Sequence, residues 1–338
     1  MSIVTLLTDF GISDNYCASL KGMIAVVSKS IRIVDITHNI DTGDIHAAAW
    51  ILYNTFFTFP ENTVHVSIVD PGVGSARDIL IINAFNHWFV APDNGIASLI
   101  FQKPYPLPMS IFKTPFFNKI SCDSCDSFEN SENNQRKLFV PDINTFSNQK
   151  VWKLKKEYFY SNISSTFHGR DIFAPLGAVI SLKSRREKFL HNYCRPVFDD
   201  SFNQEITQIF LFEKGVQTLG SLVGLLHKKN ELKSNAVKQF SSVIHIDKFG
   251  NIITDIFNDL QALSQGTEKN NMIFDFMIKK DNSFLNLPGI KNSFYEVQKG
   301  KPLIYTGSSG LLEIAVNQGR ADTFFKLRRG DFIEFKIS

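Results

Sequence analysis

Cysteine is scarce in this chain. Cys17, Cys122, Cys125 and Cys194 are all there is in 338 residues, too few and too irregularly spaced for a disulfide-stapled scaffold. Long apolar runs are missing as well, and none reaches the ~18 residues of a membrane-spanning helix. The longest candidate, Ala47 to Phe59, is interrupted by Asn54, Thr55 and Thr58. The N-terminus lacks a basic leader, and Asp9 cuts its apolar start short, so no secretory signal is expected. Nor is there an excess of one charge: 36 Lys and Arg face 33 Asp and Glu, a net +3 spread along the chain. A nucleic-acid footprint would need clustered basic residues. The expectation is a cytoplasmic protein with neither membrane nor nucleic acid as partner. G-x-G-x-x-G does not follow the first predicted strand, and G-x-x-x-x-G-K-[ST] occurs nowhere. A conventional dinucleotide or triphosphate site is disfavoured.

What is present is a globular composition, 43% hydrophobic and 20% charged, long enough for about two domains at ~150 residues each. The first hundred residues alternate between short β-rich runs and helical periods. Strands are predicted at Ile3 to Leu7, Ile31 to Ile36, Thr63 to Val69, Ile79 to Ala84 and Trp88 to Val90, with helices at Asn15 to Ser28 and Asp44 to Phe57. This predicts an α/β N-terminal domain, a largely parallel sheet with covering helices. Ligands in such sheets sit beyond the carboxyl ends of the strands. Thr8-Asp9, Asp70-Pro71-Gly72 and Asp93-Asn94-Gly95 all fall at such ends.

From about residue 104 to 150 the pattern is lost in Ser, Asn and Asp, which reads as an irregular insertion. A helix is predicted from Phe173 to about Ser184, with Pro175 in its first turn. The polar stretch 192–203 reads as a linker. Beyond it come short β runs broken by Gly, Asn and Asp: Ser242 to Ile246, Ile252 to Ile256, Met272 to Ile278, Pro302 to Thr306, Leu311 to Val316 and Phe332 to Ile337. The expected domains are therefore residues 1–191 and an all-β C-terminal domain at 204–338.

Several residue groups could carry chemistry. In Asp70-Pro71-Gly72-Val73-Gly74-Ser75-Ala76-Arg77 the glycines let the backbone turn tightly, bringing Arg77 back towards Asp70. That is either an ordinary ion pair or part of a site. His168, in Thr166-Phe167-His168-Gly169-Arg170-Asp171, stands just before the predicted helix. It is either a structural histidine or a proton acceptor that titrates near neutral pH. Asp9 and Asp14 flank the first strand-to-helix turn, where a carboxylate can cap a helix or accept from the vicinal hydroxyls of a ribose. Cys122-Asp123-Ser124-Cys125 has metal-ligand spacing but no second pair of ligands at a zinc-site distance, so no metal is expected.

Together these stretches resemble the S-adenosyl-L-methionine hydroxide adenosyltransferases, relatives of the fluorinase and chlorinase. The resemblance rests on Thr8-Asp9-Phe10-Gly11 with Tyr16 and Lys21-Gly22-Met23, Asp35-Ile36-Thr37-His38, Val69 to Ser75 with Arg77, and Ala91-Pro92-Asp93-Asn94-Gly95. It continues through Ser165 to Pro175, Asp247-Lys248-Phe249-Gly250-Asn251 and Ser308 to Asn317, in family order.

The resemblance implies an α/β N-terminal domain, a barrel-like C-terminal domain, and a homotrimer with active sites between subunits. The implied reaction cleaves S-adenosyl-L-methionine into adenosine and L-methionine by attack of water or hydroxide on ribose C5′. No cofactor is implied, the sulfonium compound being the substrate. The implied catalytic triad is Asp70, Arg77 and His168. Substrate contacts are implied for Asp9, Asp14, Tyr16 and Gly169, and for Asp247, Phe249, Asn251, Ser308, Glu313 and Val316. A halogenase is the close alternative, but those enzymes resemble this chain with a tyrosine at the place of Asp70 and without the histidine. A non-catalytic adenosine- or S-adenosyl-L-methionine-binding protein is the alternative of a different class. The sequence departs from the family pattern at Ile40-Asp41-Thr42-Gly43, where a Pro-Pro-aromatic run is usual. Gly307 and Asp255 each stand where the pattern has Asn.

Overall fold

The computed structural model describes residues 2–75, 77–101, 149–155, 157, 163–164, 166–197, 220–221, 237–257, 275–280 and 283–337. These residues fall into two compact units, the first taking the described residues up to 197 and the second those from 220 onward. The expected insertion, apart from its last two residues, lies outside the described residues. So do Cys122-Asp123-Ser124-Cys125 and the end of the expected linker.

The first unit holds strands β1 (Ile3–Thr8), β2 (Arg32–Thr37), β3 (Val64–Ile68), β4 (Ile79–Ala84), β5 (His87–Pro92), β6 (Lys150–Leu154) and β7 (Cys194–Val197) in one seven-stranded sheet of order β2-β1-β3-β5-β4-β6-β7. Helix α1 (Tyr16–Val27) buries Cys17, Leu20 and Ile24, the stripe that helical periodicity demands. Helix α2 (Ile45–Phe56) begins at Asp44, whose carboxylate accepts from the Ala47 amide at 2.8 Å, satisfying one of the free donors of the first turn.

The sheet is mixed rather than largely parallel. Pairs β1–β2, β1–β3 and β3–β5 are parallel, whereas β4–β5, β4–β6 and β6–β7 are antiparallel. The reversal comes from Phe85 and Asn86, with φ of 52° and 59°, the paired positive values that a two-residue hairpin turn requires. The linker expectation also needs correction, because Cys194–Val197 is an edge strand on β6. Pro196 is tolerated there because an edge strand leaves one row of backbone groups unpaired.

Val4, Leu6, Val64, Val66 and Ile68 share one core with Leu20 and Ile24 of α1 and with Leu176, Ala178 and Ile180 of α3 (Ala174–Ser181). A Cβ on Gly177 would fall 2.3 Å from Val66 Cγ2, so this helix reaches the sheet only as glycine. Instead of one helix to Ser184, a π-helical turn at Gly169–Phe173 leads into α3, the chain breaks at Leu182, and α4 runs from Lys183 to Tyr193. Helix α4 is strongly polar and buries only Arg186 and Leu190, too little periodicity to be read from sequence.

The second unit comprises β8 (Gly220–Ser221), β9 (Val237–Ile246), β10 (Ile252–Phe257), β11 (Asp275–Lys280), β12 (Ser283–Pro288), β13 (Ile290–Lys291), β14 (Pro302–Thr306), β15 (Leu311–Val316) and β16 (Phe332–Ile337). Their order is β12-β11-β16-β9-β10-β15-β14-β13, with β8 on β10. The unit is not purely β: a short helix, α5 (Ala321–Phe325), places Ala321 and Phe325 on a core that includes Ile252, Phe276, Leu312, Ile314 and Ile333. Among the described residues no helix is long and apolar enough to cross a membrane.

Candidate active site

In the first sheet β1 leads through α1 to β2 on one side, and β2 leads through α2 to β3 on the other. The carboxyl ends of β1 and β3 therefore flank a topological switch point, where a crevice opens between diverging connections. Asp9 follows β1 and Asp70 follows β3 by two residues. Two of the polar clusters expected at strand ends, Thr8-Asp9 and Asp70-Pro71-Gly72, thus stand at neighbouring strands of the sheet.

Arg77 folds back on Asp70 as a two-pronged pair. Its Nε donates to Asp70 Oδ1 at 2.6 Å, and Nη2 faces Oδ2. Both side chains are nearly enclosed, 5% exposed for Asp70 and 9% for Arg77, so the attraction acts with little screening by water. Gly72 packs beneath, its missing Cβ leaving room 3.8 Å from Asp70 Oδ1. On the other side the Arg77 guanidinium lies 5.7 Å from the centre of the Phe173 ring, in the π-helical turn that begins just after His168. His168 Nδ1 is buried and has no hydrogen-bond partner. Burial and the Arg77 cation hold the His168 pKa below its ordinary value, so the ring is neutral at pH 7 and can accept a proton. The Arg77 cation is thus close enough to His168 to depress its pKa.

Asp9 Oδ2 accepts from the Gly43 amide at 2.8 Å, and a Cβ on Gly43 would touch Pro71 at 3.7 Å. These contacts join the β1 turn to the Asp70 turn. Gly169 is packed against Phe10, to which a Cβ would come within 3.1 Å. Phe10, Tyr16 and Phe167 form an edge-to-face triangle with centroids 5.1–6.0 Å apart. Asp14 is exposed on the same turn. Phe10 and Phe167 sit inside motifs read from sequence, but their mutual packing had no sequence signal.

In the second unit Asp247 organises a tight turn. Its Oδ1 accepts from the amides of Phe249 and Asn251 at 2.8 and 2.9 Å, and its Oδ2 from Asn251 Nδ2 at 2.8 Å. Phe249 is left 65% exposed with Lys248 Nζ 4.9 Å from its ring centre. Glu313 accepts from the Tyr305 hydroxyl. Burial first, then the Asp247 charge, push the Glu313 pKa up. Tyr305 was missed by sequence reading, though it stands directly across the β14–β15 pairing from Glu313. Counting outward from the Gly307 to Gly310 turn would have found it. Ser308 is exposed in that turn. The Val316 side chain belongs to the core, so only its backbone can serve a ligand. Among the described residues no group of three or more His, Cys, Asp and Glu is placed to hold a metal ion.

The buried Asp70–Arg77 pair follows β3 at the switch point of the first sheet. Residues 4–119 and 241–334 match the N- and C-terminal domains of the S-adenosyl-L-methionine (SAM) hydroxide adenosyltransferases, and the chain belongs to that family of enzymes. It is 27% identical over 335 residues to the (R)-S-adenosyl-L-methionine hydrolase of Thermus thermophilus, covering 98% of both chains. To the enzyme of that name from Methanocaldococcus jannaschii it is 26% identical, over 99% of this chain and 95% of the other. A fluorinase of Nocardia brasiliensis matches at 25% identity over 124 residues, 30% of this chain and 41% of its own. Among solved structures, an uncharacterized conserved protein from Thermotoga maritima superposes with a TM-score of 0.63 at 24% identity, covering 98% of this chain and 99% of that one. That likeness concerns the fold.

Proposed function

We propose that this protein hydrolyses S-adenosyl-L-methionine to adenosine and L-methionine, with Asp70, Arg77 and His168 acting on the attacking water. The observation that carries the reading is the buried Asp70–Arg77 pair with the unpartnered His168 Nδ1 beside it. Water is a weak nucleophile at neutral pH, so it must be aimed and partly deprotonated for in-line attack. Asp70 and neutral His168 accept its hydrogen bonds. Arg77 fixes the carboxylate and balances the charge that develops on the oxygen. The new bond joins water oxygen to ribose C5′ as the C5′–S bond breaks, methionine leaves as a neutral thioether, and the proton passes to the acceptors and on to solvent. No cofactor enters this scheme.

Asp9 would hold the ribose hydroxyls, with Asp14, Tyr16 and Gly169 lining the sugar and the reacting carbon. Phe249, Asn251 and the Val316 backbone would take the adenine, and Asp247, Ser308 and Glu313 the amino-acid end. Family membership supports a homotrimer with active sites between subunits. The barrel-like form of the second unit belongs to the same proposal. A halide would meet a buried carboxylate at Asp70, which disfavours halogenation.

The test is chromatography of the protein incubated with S-adenosyl-L-methionine, with and without chloride. Adenosine and methionine should appear in equal amounts, independent of chloride, and be lost in Asp70→Asn and His168→Ala. A chloride-dependent product, or binding without turnover, would overturn the reading.

A further inference from the structure

We propose that His38 is a positioning residue for the turn that carries Asp9, setting the direction of that carboxylate in the substrate site. This inference rests on the reading above for Asp9's role as the ribose anchor, and its own support is geometric. His38 follows β2 directly and its side chain is buried. Nδ1 lies 2.8 Å from Thr8 Oγ1, and Nε2 lies 3.2 Å from Asp35 Oδ1. A carboxylate facing Nε2 keeps the proton on that nitrogen, so Nδ1 is an acceptor and Thr8 must donate to it. Thr8 Oγ1 in turn accepts from the Phe10 amide at 3.2 Å. The His38 carbonyl also accepts from the Gly11 amide at 2.8 Å. One residue therefore grips the chain on both sides of Asp9.

The same histidine opens the loop whose Gly43 amide reaches Asp9 Oδ2. Behind it, Lys21 Nζ holds Asp35 at 2.6 Å, closing a polar chain that runs from the surface to the Asp9 turn. None of these groups is needed for the water-activating step. Their arrangement fixes where Asp9 stands, which affects how tightly substrate is held in ground and transition state alike.

Three variants separate the contacts. In His38→Asn the new Oδ1 stands close to the place of Nδ1 and can still accept from Thr8. His38→Gln reaches Asp35 but offers Thr8 nothing, and Thr8→Val deletes the donor. Uniform loss of binding raises KM and spares kcat. The expected result is a KM for S-adenosyl-L-methionine raised about tenfold in His38→Gln and Thr8→Val, with kcat within about twofold and His38→Asn within about threefold of wild type on KM. Mere destabilisation would lower the active fraction, and so apparent kcat, while leaving KM alone. Unchanged KM in both His38→Gln and Thr8→Val, or an equal rise in His38→Asn, would overturn the proposal. Wild type that makes no adenosine would refute the hydrolase reading separately. Adenosine titration calorimetry on the same variants then decides the positioning role, by the same order of affinities.

Discussion

Two histidines lie at the centre of the first sheet, away from the proposed chemistry, and make the unit's stability depend on pH in a calculable way. His65 Nδ1 pairs with Thr5 Oγ1 at 2.9 Å, and His65 Nε2 faces His87 Nδ1 at 3.1 Å. Both rings are buried among Phe56 and Phe89, the latter stacked on His65 at 5.1 Å. A proton added to either ring would leave a cation enclosed among aromatic side chains, away from water. Burial accordingly holds His65 well below its ordinary pKa and His87 at about 4 instead of 6.5. Between those limits the unfolded chain binds more protons than the folded one. The contribution is fully present above pH 6.5 and is lost as pH falls towards about 4. The fall from 6.5 to about 4 corresponds to about 3 kcal/mol for His87, at about 1.4 kcal/mol per pH unit. All three tryptophans, Trp50, Trp88 and Trp152, lie in the first unit, so urea unfolding followed by tryptophan fluorescence reports on it selectively. Wild type should lose about 3 kcal/mol more than His87→Gln between about pH 7.5 and pH 4, because glutamine keeps a partner for His65 without titrating. Parallel stability profiles for the two proteins would refute the reasoning.

Gly177→Ala places a methyl 2.3 Å from Val66 Cγ2 and should cost about 1–3 kcal/mol by forcing α3 off the sheet; the same fluorescence assay reads it, and an unchanged midpoint would contradict that close approach. The acid limb of kcat/KM should lie below the ordinary histidine range, since burial and Arg77 depress His168. Activity holds at neutral pH and falls as His168 gains its proton, and a profile centred above pH 7 would assign the limb to another group. Gly307→Ala brings a Cβ to 1.8 Å from Glu313 Oε1, displacing the carboxylate from Tyr305. KM for S-adenosyl-L-methionine should rise while the tryptophan-reported stability of the first unit stays put; a wild-type KM would show that Glu313 does not serve the substrate.

Where a segment's local pattern and its tertiary role coincide, the sequence was readable. Strand β1 reads as a short continuous apolar run because it is buried on both faces, helix α1 carries a 3.6 period because it buries one, and the turn residues at their junctions mark the switch point. The sheet's antiparallel half was not readable in the same way. Its hairpin turns on Phe85 and Asn86, and Phe is a residue rarely found at positive φ. Nothing in composition distinguishes that turn from a break between parallel strands. Helix α4 escaped because its helicity is held by a buried arginine and one leucine rather than a stripe. Asp70, Arg77 and His168 could each be suspected singly, but the packing of Phe173 against Arg77, a contact between residues about a hundred positions apart, had no sequence signal.

The departures from the family's sequence pattern have local physical reasons, and these differ in kind. At Gly43 a backbone amide, at φ 75°, reaches Asp9, a conformation that an aromatic residue would adopt only with strain. The change there trades a side-chain surface for a main-chain donor. At Gly307 the lost side chain becomes space, filled by the Glu313 carboxylate. Asp255 is buried between Ser241 and Ser242, whose hydroxyls donate at 2.6 and 2.7 Å, and burial pushes its pKa up. An amide in that place could accept through one oxygen, not two, leaving one serine without its acceptor. The first departure acts on the orientation of a proposed substrate contact, the second on the reach of another, and the third on the interior of the second unit. Restoring the family residue at any one of these positions without its partners should therefore cost stability or affinity rather than recover a more typical enzyme.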